Sequence, residues 1–404
     1  MNFQFLRALA LACACLGVTT TVSAQDPGDP FETARFRLGA IRFTPAIEIT
    51  SFGRDTNVFN EADDPKGDTT AAVGPAVQLW MRPGGSRFSA RLGGQYLYFK
   101  EYSNQRAWNT SNEARWEVPL ARLTPFVAGT YINARERQGY EIDSRSRRRD
   151  DAFTVGSSLR LSGKTTLVGS FRRFNAKYDE SESFLGTVLA EALNRREDTT
   201  KVQFRYALTP LTTLVVDTDI ARDRFKLTNV RDTNSVRVMP GFEIKPMALI
   251  SGRVFVGYRE FKPLTVVLPD YRGVVAAVDA TYVRGSTRLQ ARIDRDLAYS
   301  FEPTRPYYAL LDTGLTVTQR VTATWELVAR GSRQQLDYRQ LGSEPLDPQG
   351  DRGYAYGGGL GYRLAETFRL GVDANYYTRR SDFEGRRDYE GLRVFGSIRY
   401  GIQQ

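Results

Sequence analysis

Thr367-Phe368-Arg369-Leu370-Gly371-Val372-Asp373-Ala374-Asn375-Tyr376-Tyr377 alternates without a break. Phe368, Leu370, Val372, Ala374 and Tyr376 share one side of an extended chain, and Arg369, Gly371, Asp373, Asn375 and Tyr377 the other. A period of two marks a β-strand with one apolar and one polar face, because successive side chains point to opposite sides. Tyr389 to Ile402 repeats the pattern: Leu392, Val394, Ile398, Tyr400 and Ile402 stand against Arg393, Phe395, Ser397 and Arg399.

The same alternation recurs upstream. Val202, Phe204, Tyr206 and Leu208 oppose Lys201, Gln203, Arg205 and Ala207; Val274, Ala276, Val278, Ala280 and Tyr282 oppose Gly273, Ala277, Asp279 and Thr281. Leu289, Ala291 and Ile293 oppose Arg288, Gln290, Arg292 and Asp294, and Val321 to Ala329 carries another such face. Two kinds of connection separate these runs. Tight turns sit at Pro83-Gly84-Gly85, Gly163-Lys164, Pro210-Leu211, Lys245-Pro246, Gly285-Ser286 and Ala365-Glu366. Long polar loops sit at Gly53 to Gly67, Gly139 to Arg149, Asp179 to Glu197 and Gln340 to Gly353. Return strands begin near Asp68, Trp108, Asp150, Asp198, Asp232, Arg272, Tyr307, Gly353 and Tyr389. Short turns at one end and long loops at the other predict an all-β, transmembrane antiparallel up-and-down β-barrel of about 18 strands (about 16–18). Pro75 and Pro240, each inside a strand pattern, predict bulges where the wall bends.

Mean hydropathy is −0.41, and no segment past the leader is apolar for long enough to span as a helix. A barrel needs none, since only alternate residues meet lipid. Aromatic residues gather near the strand ends (Tyr96, Tyr98, Trp116, Tyr258, Tyr282, Trp325, Tyr376, Tyr400), where amphipathic rings suit the headgroup level. Met1 to Arg7, an apolar run from Leu6 to Val18, and Val22-Ser23-Ala24 have the layout of a secretory signal peptide. Residues 1–24 are thus expected to be removed, with 25–404 forming a single outer-membrane β-barrel domain. Both cysteines, Cys13 and Cys15, fall in the leader. Cys13 follows Ala10-Leu11-Ala12, a poor lipidation signal that would cut through the apolar run.

Histidine is absent. That excludes Ser-His-Asp triads, imidazole proton relays and His-ligated metals, and the mature chain has no thiol. No enzyme activity and no cofactor are expected. Net charge is +10, from 56 basic and 46 acidic residues, and only eight of the basic ones are Lys. Arginine makes planar bidentate contacts to carboxylate, sulfate or phosphate. No nucleic-acid motif accompanies the charge.

Leu38-Gly39-Ala40, Thr44-Pro45 through Ile49, and Arg54-Asp55-Thr56-Asn57-Val58-Phe59, continuing through Val73-Gly74-Pro75, resemble the start of the β-barrel porin type 2 family. Arg54 stands where that family has tyrosine, and Thr56 where it has a second acid. The resemblance implies a conduit for exopolysaccharide or capsular polysaccharide export, with an anionic polysaccharide and periplasmic polysaccharide-export proteins as partners beside the outer-membrane lipids. The alternatives are a general or anion-selective solute porin and a structural outer-membrane protein without transport.

If the apolar faces meet lipid, the polar faces line a lumen. Arg91, Arg115, Arg160, Arg172, Arg205, Arg237, Arg253, Arg292, Arg330, Arg363, Arg369, Arg393 and Arg399 lie there, forming either a basic track for anions or an ion-pair lattice with Glu113, Glu117, Asp217, Asp219, Glu243, Asp279, Asp294, Glu326 and Asp373. Gly357, Gly359, Gly361 and Gly371 form a bare floor beside Tyr377, either to relieve curvature or to seat a sugar ring. Glu61, Asp63 and Asp64, and Glu344, Asp347 and Asp351, offer loop carboxylates for Ca²⁺ without a defined motif.

Fractionation of the native host should recover the protein in the outer membrane as a heat-modifiable band whose N-terminus is Gln25. Recovery as a soluble periplasmic protein would contradict the barrel reading.

Overall fold

The computed structural model describes residues 29–246, 248–339, 350–365, 367–382 and 388–401; the leader, Glu344 and Asp347 lie outside these described residues. Among them, eighteen long strands form the barrel wall. The first nine are β1 (Ile41–Asp55), β2 (Asp68–Met81), β3 (Arg87–Phe99), β4 (Ala107–Glu117), β5 (Leu123–Arg137), β6 (Arg145–Arg160), β7 (Thr165–Tyr178), β8 (Arg195–Ala207) and β9 (Thr212–Phe225). The second nine are β10 (Thr233–Ile244), β11 (Ile250–Pro263), β12 (Tyr271–Arg284), β13 (Thr287–Tyr299), β14 (Tyr307–Arg320), β15 (Trp325–Arg339), β16 (Gly350–Ala365), β17 (Phe368–Ser381) and β18 (Tyr389–Tyr400). Each pairs antiparallel with its neighbours in the chain, and β1 pairs with β18, so the sheet closes. The predicted architecture is the observed one.

The alternation of the sequence becomes the two faces of the wall. Phe153, Val202, Val256 and Val372 point outward and are exposed, Val372 by 58%. Such a belt would be a liability in water and is what lipid requires. Trp116, Trp325 and Tyr400 ring the belt at the short-turn end, while Trp108, Tyr258 and Tyr356 ring it toward the long loops. Opposite parity points inward and is polar.

The seam between β1 and β18 contains a bulge. Register shifts between Ile49 and Phe52, and Ser51 takes a positive φ of 55°. A side chain at Gly53 would run into the Val394 carbonyl, so only glycine fits this approach. The two prolines, by contrast, mark no bulge. Val73↔Tyr96 and Ala76↔Gly93 flank Pro75 in one continuous register, as Val238↔Tyr258 and Gly241↔Phe255 flank Pro240. Proline lacks the N–H donor, so pairing lapses locally without a slip.

The glycine floor has a different role from either one expected. Arg330 on β15 reaches across Gly357 and Gly359 of β16 to Asp373 and Asn375 on β17. Glu326 on β15 likewise reaches over Gly361 to Arg369, 2.6 Å away. A Cβ at Gly361 would stand 2.6 Å from the Arg369 guanidinium and 2.7 Å from Glu326 Cγ. The floor is therefore a passage through which β15 and β17 exchange ion pairs over the strand between them.

A valine at Gly359 or Gly361 should break the bridging pair beneath it and leave a poorly hydrated charge without its partner. The expected cost is roughly 3 kcal/mol, read as a lower temperature for the folded-to-unfolded gel shift. A wild-type transition in both variants would contradict this role.

Candidate functional site: the lumen and its inward loop

The arginines named from the sequence all sit at inward parity, and carboxylates hold most of them. Arg115 meets Glu117 at 3.2 Å, Arg91 meets Glu113 at 3.7 Å, and Arg172 meets Glu197 at 3.4 Å. Arg205 pairs with Glu243 at 2.5 Å. Arg237 bridges Asp219 at 2.6 Å and Asp296 at 2.7 Å, and Arg259 also reaches Asp296 at 2.6 Å. Arg292 lies 3.8 Å from Asp294 and 3.7 Å from Asp312. Arg363 and Arg369 share Glu326, Arg330 holds Asp373, Arg393 holds Asp55 at 2.9 Å, and Arg399 holds Glu48. Lys201 meets Asp217 at 2.8 Å.

Strand register explains this order. Glu243, Arg253, Asp279 and Arg292 stand side by side on β10 to β13, alternating in sign. Opposite charges directly across a strand pair attract, and antiparallel pairing puts them there. Arg160 lies inward near the short-turn end with no ion pair among the described residues, and so does Arg288.

The second component is a loop that the sequence reading did not send inward. Gln138-Gly139-Tyr140-Glu141-Ile142-Asp143, between β5 and β6, lies inside the lumen, with Gln138, Glu141, Ile142 and Asp143 buried. Gly139 takes a φ of 71°, which allows the chain to turn inward. Tyr140 Oη donates to Asp312 Oδ2 on β14 at 2.6 Å, reaching the opposite wall. Burial and the Asp312 carboxylate raise the Tyr140 pKa well above the ordinary phenol value, so the hydroxyl keeps its proton to donate. Arg379 on β17 donates to the carbonyls of Tyr140 (3.2 Å) and Glu141 (3.0 Å), and to Asp143 (3.4 Å), while its other nitrogen holds Asp351. Glu141 accepts from Ser300 Oγ at 2.6 Å and from the Phe301 amide at 3.2 Å. Arg231 braces that receiving loop by donating to the Ser300, Phe301 and Glu302 carbonyls.

Apolar packing reinforces the loop. Ile142 joins Tyr178, Phe184, Phe301 and the short helix α1 (Leu189–Leu193) in one buried cluster, where the Phe184 and Phe301 rings meet edge-on with centroids 4.9 Å apart. The loop between β7 and β8 contributes this helix. A cavity of about 560 Å³ lies in the lumen against the loop, walled by Arg237, Arg259, Arg292 and Arg379 together with Asp219, Asp294, Asp296 and Asp312.

Residues 54–59 secure the seam. Asp55 accepts from Arg393 Nε, from the Asn57 amide at 3.0 Å, and from Tyr377 Oη at 3.1 Å. Asn57 Nδ2 donates to the Glu61 and Glu390 carbonyls. Thr56 exchanges hydrogen bonds with Leu392 of β18. Val58 is buried and its carbonyl accepts from Arg137 at 2.7 Å; the Phe59 ring meets Tyr102 edge-on. Arg54 instead faces outward beside Glu101. The proposed calcium ligands do not converge. Glu61 pairs with Lys66, Asp351 is bound up with Arg379 and Tyr338, and no group of three candidate ligands occurs among the described residues.

A closed, lipid-faced barrel with a polar lumen is the architecture of an outer-membrane porin. The family model described as "Putative beta-barrel porin 2" matches residues 29–401, and the chain belongs to that family. Among solved structures it is similar to OccK2 (OpdF) of Pseudomonas aeruginosa, at 11% identity and a TM-score of 0.54, covering 90% of this chain and 98% of that one. A BenF-like porin from Pseudomonas fluorescens Pf-5 matches at 10% identity and a TM-score of 0.51, covering 90% and 100%. OpdK of Pseudomonas aeruginosa, solved with vanillate, matches at 9% identity and a TM-score of 0.51, covering 90% and 99%. At these identities the likeness shows the fold alone. No curated protein matches the chain.

Replacing Arg379 with Gln removes the cation that fastens the inward loop while sparing its neighbours. The loop should then open, and a protease added to intact cells should cut near Glu141 at least about tenfold faster, as expected of a segment whose local opening has become cheaper. Unchanged cleavage would show that the Ile142 cluster alone holds it.

Proposed function

We propose that the chain is a solute porin passing small polar molecules through a lumen narrowed by the Gln138–Asp143 loop. The observation that supports this most is the loop itself. It crosses toward β14, hydrogen-bonds to the far wall, and leaves a cavity on the scale of a small solute, about 560 Å³. The vanillate bound by OpdK, and the glucuronate bound by OccK2 in a second structure, are small molecules of that scale on the same fold.

The export reading fares worse. A conduit for a polysaccharide needs a bore clear from end to end, and the inward loop with its apolar cluster obstructs one. An anionic polymer and periplasmic export proteins belong to that reading and find no separate support in the geometry. Nor do the arginines amount to an uncompensated basic track: a carboxylate facing most of them cancels the long-range field that would draw a polyanion. Anion preference should therefore be weak, and set where positive charge is left unmatched, at Arg160 and Arg288 near the short-turn end.

In planar bilayers the wild-type barrel should conduct small ions in steps with a slight anion preference. Replacing residues 138–143 by two glycines should raise the unit conductance roughly twofold or more, because pore width sets the barrier. Unchanged conductance would mean that the loop does not limit passage. Absence of any conductance in both proteins would favour a structural role.

A further inference from the structure

The outer surface of the barrel carries a second charged feature, independent of what passes through the lumen. On the outward face of β6 to β9, toward the long loops, stand Arg149, Arg173, Lys177, Arg196, Arg222 and Arg224. Each sits just beyond the lipid-facing belt: Phe171 precedes Arg173 on the same face of β7, and Ile220 precedes Arg222 on β9. Two acids share the patch, and both are occupied. Asp198 takes a bidentate contact from Arg173 at 2.7 and 3.0 Å, and Asp151 lies 3.8 Å from Lys177. Arg149, Arg196 and Arg222 are exposed and make no ion pair among the described residues; Arg222 lies directly opposite Asp198, but that carboxylate is held by Arg173, so six cations share two acids.

The register makes the excess more pointed. Arg196 is directly opposite Arg224, and Arg149 directly opposite Lys177. Like charges across a strand pair repel unless an anion lies between them. Elsewhere on the same rim, several outward cations have acids of their own: Arg272 and Lys262 hold Glu260 at 2.8 and 3.0 Å, Arg380 holds Asp388 at 3.3 Å, and Arg352 holds Asp382 at 3.5 Å. Arg295 and Arg333, also outward and without an ion pair among the described residues, each stand singly between uncharged cross-strand neighbours, Ala276 and Leu311 for the first and Thr313 and Tyr354 for the second, so this sector is where unmatched cations gather.

We propose that this sector is a binding site for the phosphate groups of a phosphorylated glycolipid in the outer leaflet. The chemistry fits in three respects. Guanidinium groups make paired hydrogen bonds to phosphate oxygens. Neighbouring strands hold the cations about 5 Å apart, so that one phosphate can bridge two of them. The position directly beyond the apolar belt is where a lipid keeps its headgroup while its chains lie along Phe171 and Ile220.

The test is native mass spectrometry of the folded barrel in detergent, titrated with bis-phosphorylated lipid A and with the same lipid stripped of its phosphates. The phosphorylated lipid should remain bound to the wild type and the stripped one should not. Combining Arg149→Gln, Arg196→Gln and Arg222→Gln should weaken retention roughly a hundredfold, since each surface cation contributes about a fivefold factor. The corresponding Lys variants, which keep the charge, should retain most of the binding. All three positions are exposed, and the heat-modifiable gel shift verifies folding. Equal binding of both lipids by the wild type, equal retention by the folded Gln variant, or displacement of the lipid by inorganic phosphate at the same concentration would each overturn the proposal.

Discussion

A backbone in lipid has no water to satisfy its N–H and C=O groups, so each must find a partner within the sheet. For a chain that spans with strands, this leaves one solution: the sheet must close, because an open edge would expose a row of unpaired groups. The rest of this molecule follows from the closure of β1 on β18. That seam is also its most irregular part, with a bulge at Ser51 and a close approach at Gly53. The residues just beyond it compensate. Asp55, Thr56 and Asn57 tie the first strand and loop to Arg393, Leu392 and Glu390 of the last strand. A segment that resembled a family signature is thus explained as the fastening of the joint.

Closure also fixes the chemistry of the lumen. Outward positions must be apolar, so the charged half of each strand is forced inward, at a radius where charges lie close together. Unpaired, they would strain the wall. The register resolves this by setting acid against base on adjacent strands, and the glycines of β16 extend the reach of the lattice by letting β15 and β17 pair over them. What remains is a polar lumen whose fields largely cancel. On the proposed solute-porin reading, selectivity would rest on shape more than on net charge, and the Gln138–Asp143 loop narrows that shape. Arg379 links the two levels, holding the loop carbonyls with one nitrogen and Asp351 with the other.

The fold was legible because a period of two survives translation into structure unchanged. The alternation at Phe368 to Tyr376 and Leu392 to Tyr400 told apart the two faces, and the return strands near Asp68, Tyr307 and Tyr389 begin where the sequence put them. Inward parity of the arginines followed from the same rule. Pairing was less legible, since it depends on register between strands: nothing local says that Arg330 crosses a strand to Asp373. The inward loop was missed because the segment around Gly139 reads as a polar connection. Its signals were Tyr140 and Ile142, an aromatic and an aliphatic residue with no strand face to occupy, but a burial partner such as Phe301 lies far away in sequence. The prolines misled for the opposite reason, since a lost donor was read as a change of register.

The central claim is that the wall separates lipid outside from a water-filled, loop-narrowed lumen inside. Single cysteines at neighbouring positions on opposite walls test it directly: Thr130 and Tyr131 on β5, and Thr316 and Leu315 on β14. The mature chain is expected to have no cysteine of its own, Cys13 and Cys15 lying in the leader. A small, charged, membrane-impermeant thiol reagent should label residues 130 and 316 in reconstituted vesicles, while only a lipid-soluble reagent should reach 131 and 315. Labelling of all four by the charged reagent, or of neither inward position, would contradict the account.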